Sequence, residues 1–141
     1  MKKLIIASFA FIFIMNVASA QSSENVSVDS PEITFKSTEL DYGVVNTNSD
    51  GARKFEFTNT GKQPLIIANV VASCGCTVVE WNREPIKPGE KGTLEVKYNT
   101  AIVGPFSKSI RVFSNAKTSP VFLIIKGEVK PLVETTSQNK Q

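Results

Sequence analysis

Between residues 31 and 130 the chain alternates apolar and polar side chains over short stretches, broken by turn residues about every ten positions. From Arg53 to Thr58, Phe55 and Phe57 point one way while Lys54 and Glu56 point the other. That period of two predicts a strand with one dry and one wet face. Thr93 to Tyr98 repeats it, with Leu94, Val96 and Tyr98 inward and Thr93, Glu95 and Lys97 outward. Phe106 to Phe113 also alternates, except that Lys108 falls on the same side as Phe106, Ile110 and Val112. Leu65 to Val71 and Val121 to Ile125 are nearly continuous apolar runs, which predicts strands covered on both faces.

The separators Asn59-Thr60-Gly61, Pro88-Gly89-Glu90 and Asn115-Ala116-Lys117 carry residues that tolerate turn geometry. We read Asn59 and Gly61 as a hairpin turn. No long window holds an apolar period of three to four residues, so helix is expected to be nearly absent. The pattern predicts an all-β fold, an immunoglobulin-like antiparallel β-sandwich of about seven to eight strands, in preference to a small closed barrel.

The ends of the chain differ from this core. Lys2 and Lys3, an apolar run from Leu4 to Met15, and Ala18-Ser19-Ala20 before Gln21 follow the order of a secretory signal peptide. The run is shorter than the roughly 20 apolar residues that span a bilayer. Residues 1–20 are therefore expected to be a signal peptide cleaved between Ala20 and Gln21, with no stable membrane insertion afterwards. The residue after the cut is not cysteine, so no lipid anchor is indicated. Residues 21–30 and 131–141 are poor in apolar side chains and are expected to be a flexible N-terminal segment and a disordered polar tail. The acceptor-like triplet Asn25-Val26-Ser27 carries little meaning behind such a leader.

Cleavage changes the chemistry on offer. Two of the 16 Lys+Arg residues would leave and all 13 Asp+Glu residues would stay, so 14 cations would face 13 anions, a net charge of +1 rather than +3. Charge so scattered gives no stripe to track phosphates, and nucleic acid is not an expected partner. Both methionines lie in the leader and the chain has no histidine, so no metal or cofactor site is indicated. Asp41, Asp50, Glu80 and Glu84 form neither a spaced calcium loop nor an acid/base pair and read as solvated surface. Trp81 reads as a seam residue with its N–H satisfied.

The pointed feature is Ser73-Cys74-Gly75-Cys76-Thr77, which holds both cysteines. In an exported chain an even count suggests a disulfide. Residues two apart in an extended strand share a face, but their Cα atoms lie roughly 6.6 Å apart, at the far limit for a bridge. The chain must bend, and Gly75 is expected to permit it. Chain entropy for so short a loop is worth only about 1.6 kcal/mol, so stability alone gives little reason for the bond. A local clip, thiol exchange, binding of a soft metal such as Cu(I), and pairing with another chain all remain open readings of Cys74 and Cys76.

Phe57-Thr58-Asn59-Thr60-Gly61, then Pro64-Leu65-Ile66-Ile67, then the Ser-Cys-Gly-Cys-Thr block, then Ile86-Lys87-Pro88-Gly89-Glu90 follow one another in an order that resembles a bacterial family of secreted domains of unknown function. The resemblance covers nearly all of residues 32–129. It implies an immunoglobulin-like fold of the Hydin and major-sperm-protein type and a periplasmic or extracellular setting, and it implies no reaction. The leading functional expectation is a non-enzymatic interaction or structural module whose partner is another cell-envelope protein. The alternative is a thiol redox or soft-metal-handling protein acting through Cys74 and Cys76.

Overall fold

The computed structural model describes residues 29–132. The signal peptide, its Ala20/Gln21 cleavage point, and most of the two polar end segments lie outside the described residues.

Eight strands follow one another: β1 (Ile33–Phe35), β2 (Glu39–Asn46), β3 (Ala52–Asn59), β4 (Ile67–Ala72), β5 (Thr77–Trp81), β6 (Lys91–Tyr98), β7 (Gly104–Ser114) and β8 (Val121–Lys130). They form two four-stranded sheets, ordered β1-β3-β6-β5 and β2-β8-β7-β4. The inward residues include those the alternation selects. Phe55, Phe57, Leu94, Val96 and Tyr98 come from the first sheet, and Ile110, Val112, Leu123, Ile125 and Val129 from the second. Each is almost wholly hidden, and burial of such a side chain contributes roughly 1.5–3 kcal/mol. Tyr98 stacks on Phe106 with ring centroids 3.8 Å apart, joining the sheets.

The chain changes sheet at both sides of the sandwich. On one side the Lys36 N–H still bonds the Glu56 carbonyl of the first sheet at 2.9 Å, whereas the Thr38 carbonyl accepts the Ile124 N–H of the second at 2.8 Å. The Ser37 hydroxyl holds this step by donating to the Glu39 carbonyl at 2.6 Å. The extended stretch thus reaches β8 running in the same direction, and β2 pairs with it in parallel. The expected immunoglobulin-like sandwich of about seven to eight strands is present, with this one parallel pair among otherwise antiparallel pairings. A parallel pair needs a long connection, which the rest of the chain supplies.

β2 carries a bulge between Asp41 and Val44. Gly43 sits there at φ +63°, the left-handed region that glycine tolerates, and its N–H bonds the Asp41 carboxylate at 2.7 Å. The bulge turns Tyr42 inward, where its hydroxyl donates to the Gly51 carbonyl at 3.0 Å. Burial pushes the Tyr42 phenol up to about 12, against the opposing pull of the Arg53 cation.

Two expectations about particular segments are corrected. The apolar runs of β4 and β8 are covered on one face only: Ile66, Phe122 and Ile124 remain 42%, 59% and 40% exposed. A two-layer sandwich has no third layer to cover its outer faces. Nor is Asn59-Thr60-Gly61 a hairpin turn, since β3 and β4 lie in different sheets. The Asn59 side chain is fully buried and fastens this arch. Its Nδ2 donates to the Gln63 and Ile86 carbonyls, both at 2.8 Å, while its Oδ1 accepts the Gly61 N–H at 3.0 Å. A Cβ on Gly61 would collide with the backbone of Ser30, Pro31 and Glu32, so close approach dictates the glycine.

Candidate functional site

The Cys-Gly-Cys block forms the second change of sheet. β4 and β5 are edge strands on the same side of the sandwich, and Ser73–Cys76 runs from one to the other. Pairing with β7 persists to Ser73, whose N–H bonds the Ser109 carbonyl at 2.9 Å and whose hydroxyl accepts the Ser109 N–H at 3.2 Å. Pairing with β6 begins at Cys76, whose carbonyl accepts the Asn99 N–H at 2.9 Å. Four residues thus turn the chain through the thickness of the fold.

That turn draws the Cys74 and Cys76 Cα atoms to 5.3 Å and the sulfurs to bonding distance. The separation is well inside the range a bridge tolerates. Gly75 is not what the bend depends on. Its φ lies outside the left-handed region, and a Cβ there would meet nothing within 4 Å. What bends the chain is the need to leave one sheet and join the other.

Both cysteines are half-buried, and Thr77 beneath them is buried. The Thr77 Oγ1 lies 3.8 Å from Cys74 Sγ and 4.0 Å from Cys76 Sγ. Cys76 also lines an open cleft with Gly75, Val78, Lys97, Tyr98 and Asn99. Lys108, which the alternation left on the core side of β7, is half-buried. Neither Lys97 nor Lys108 forms an ion pair among the described residues.

The other sequence-marked residues are not gathered. Asp41, Asp50, Glu80 and Glu84 are exposed on separate elements, and Asp50 serves its own loop by accepting the Ala52 N–H at 2.9 Å. Trp81 bridges the two edge strands, its Nε1 donating to the Ile67 carbonyl at 3.4 Å with Arg83 over its ring at 4.8 Å. Among the described residues no three His, Cys, Asp or Glu side chains cluster to hold a metal ion.

A surface that the alternation did not single out lies on the outer face of the second sheet. Arg111 stands there in register with Phe122 of β8 and Val71 of β4, and Ile124 is the next outward residue along β8. The Arg111 guanidinium carbon sits 5.8 Å from the centroid of Phe113, on its own strand, and no carboxylate pairs with it among the described residues. Farther along the same face the charges are matched, as in Lys126 with Glu39 and Lys130 with Glu128. The hydrogen bond that Lys126 donates to the Glu39 carboxylate raises the ammonium above its ordinary value. The only sequence sign of the patch was the continuity of Val121–Ile125, which reads equally well as a buried strand.

Eight strands in two facing sheets, with edge segments that pass between them, define an immunoglobulin-like β-sandwich. Over residues 33–129 the chain matches the family described as "Protein of unknown function (DUF1573)", and it belongs to that family. A protein of unknown function from Porphyromonas gingivalis W83 shares the fold at a TM-score of 0.66 and 18% identity, over 76% of this chain and 51% of that one. This chain therefore spans about half of that protein. The ASH/PapD-like domain 7 of human CEP192 matches at a TM-score of 0.63 and 4% identity, over 92% of this chain and 99% of that one. The Vibrio cholerae VesB protease matches at 0.56 and 10% identity, over 70% of this chain and 32% of that one. At such identities the likeness is one of fold. No curated protein matches the sequence.

Proposed function

We propose that the chain is an exported, non-enzymatic binding module that docks another cell-envelope protein on the outer face of its second sheet. The observation that carries the reading is Arg111, a cation without a carboxylate among the described residues, set among Phe122, Ile124, Val71 and Phe113 on a face where the β8 cations Lys126 and Lys130 are paired. Single exposed apolar residues are ordinary on protein surfaces; a cluster around an unneutralised guanidinium has the composition of a binding hot spot. The partner is a protein segment that lays apolar side chains around one carboxylate. The carboxylate would pair with Arg111 as water leaves, and the flanking groups would cover Phe122 and Ile124. The leader pattern of residues 1–20 supports delivery to the envelope.

The test has two parts. Chain recovered from the envelope fraction should begin at Gln21 by mass spectrometry; a first residue of Met1 would overturn the export reading. Proteins captured from envelope extract should then be identified, purified and titrated against wild type, Phe122→Ser and Arg111→Glu. Each substitution is expected to weaken binding at least about tenfold, the scale of a hot-spot loss. Equal affinity in all three would refute the docking face. A wild-type dimer that dissociates in both variants would assign the face to a second copy and refute the envelope partner.

A further inference from the structure

The corner between β4 and β5 carries chemistry that the docking face does not use and shares no residue with it. Cys74 and Cys76 close a ring containing one intervening residue, at an exposed change of sheet rather than in the core. We propose that this pair is a thiol–disulfide exchange site for a protein dithiol, with Cys76 as the sulfur attacked and Cys74 as the leaving group.

The surroundings differ for the two sulfurs. Cys76 faces the open cleft, floored by the buried Tyr98 and bordered by Val78, Asn99 and Lys97, with bare Gly75 beside it. A partner backbone can approach there, because a side chain's worth of space above Gly75 is empty. Cys74 does not line that cleft, and its Sγ lies 3.8 Å from the Thr77 hydroxyl. A thiolate released at Cys74 meets an O–H that can donate to it. Such a hydrogen bond favours the charged form, and a partly exposed thiolate is the reactive form of a cysteine.

The step balances without a further reagent. The partner thiolate attacks Cys76 Sγ; the intermolecular S–S bond forms, the Cys74–Cys76 bond breaks, and its electron pair leaves on Cys74 Sγ, which then takes a proton from solvent. The partner's second thiol, once deprotonated, attacks the partner's own sulfur in the mixed disulfide and frees Cys76 as a thiolate. The pair gains two electrons, and the partner dithiol becomes a disulfide.

The probe is a dithiol protein of the Cys-X-X-Cys type whose second cysteine is replaced by serine, which stops the reaction at the mixed disulfide. Incubated with native, exported chain, it is expected to give a one-to-one adduct that peptide mapping places at Cys76. An adduct formed only in denaturant, or one mapped to Cys74, would overturn the assignment. Cys76→Ser leaves Cys74 as a single thiol, whose alkylation rate against pH is expected to have its midpoint at least one unit below the roughly 8.5 of an ordinary cysteine. Adding Thr77→Val should raise that midpoint, lowering the alkylation rate at neutral pH about threefold. A midpoint at the ordinary value, or one indifferent to Thr77, would refute the proposed leaving-group setting. The wild-type adduct keeps the test decisive should a variant fail to fold.

Discussion

Replacing Asn59 by alanine would remove the fastener of the arch between β3 and β4, and its cost follows from the bonds it makes. Three hydrogen bonds vanish: two from Nδ2 to the Gln63 and Ile86 carbonyls and one from the Gly61 N–H to Oδ1. Each contributes about 0.5–1.5 kcal/mol net, and groups left unpaired in the interior add to the loss. The Ile86 carbonyl keeps the Leu65 N–H at 2.9 Å, so it is not stripped of partners. The expected destabilisation is therefore about 2–4 kcal/mol, a large part of the roughly 5–15 kcal/mol that holds a domain of this size together. In urea titrations followed by circular dichroism the midpoint should fall by about 1–3 M with an unchanged slope. Asn115 supplies the control. It makes similar bonds, accepting the Ile66 N–H at 2.8 Å and donating to the Pro64 carbonyl at 3.1 Å, but is exposed. Water can replace its side chain, and Asn115→Ala should cost less than about 1 kcal/mol. Equal losses in the two variants would refute the argument that burial, not bond count, makes Asn59 structural.

Gly61→Ala should destabilise severely or prevent folding, because its Cβ collides with backbone that cannot swing aside, whereas Gly75→Ala should change the unfolding free energy measured in urea by no more than about 0.5 kcal/mol. Alkaline titration should reveal Tyr42. Its folded value, raised from 10.0 to about 12, means that its contribution is complete below pH 10 and is lost as pH climbs from 10 towards 12. Tyr42→Phe should flatten that part of the profile while giving up the bond to Gly51, and an unchanged alkaline profile would contradict the burial of the phenol.

The site was only partly legible in advance. Cys74 and Cys76 were visible as a pair, but their surroundings were not, because Tyr98 and Asn99 reach Cys76 only through the pairing of β5 with β6. Gly75 was read as the agent of the bend from its residue type alone, whereas the bend follows from a change of sheet that local sequence does not encode. Arg111 carries no local signal, since its neighbours Phe122 and Val71 are distant in the chain.

Alternation by itself determined which residues of β3, β6 and β7 face the core, because in an extended chain side-chain direction has a period of two and apolar groups leave water whichever strands pair. It therefore determined the all-β class and the inward set from Phe55 to Val112. Only the tertiary structure decided that β2 runs parallel to β8, that Asn59 is buried, and that Phe122 faces outward while Leu123 faces the core. Those outcomes depend on which strands meet and on which of two faces has a second layer, and such pairings join residues tens of positions apart.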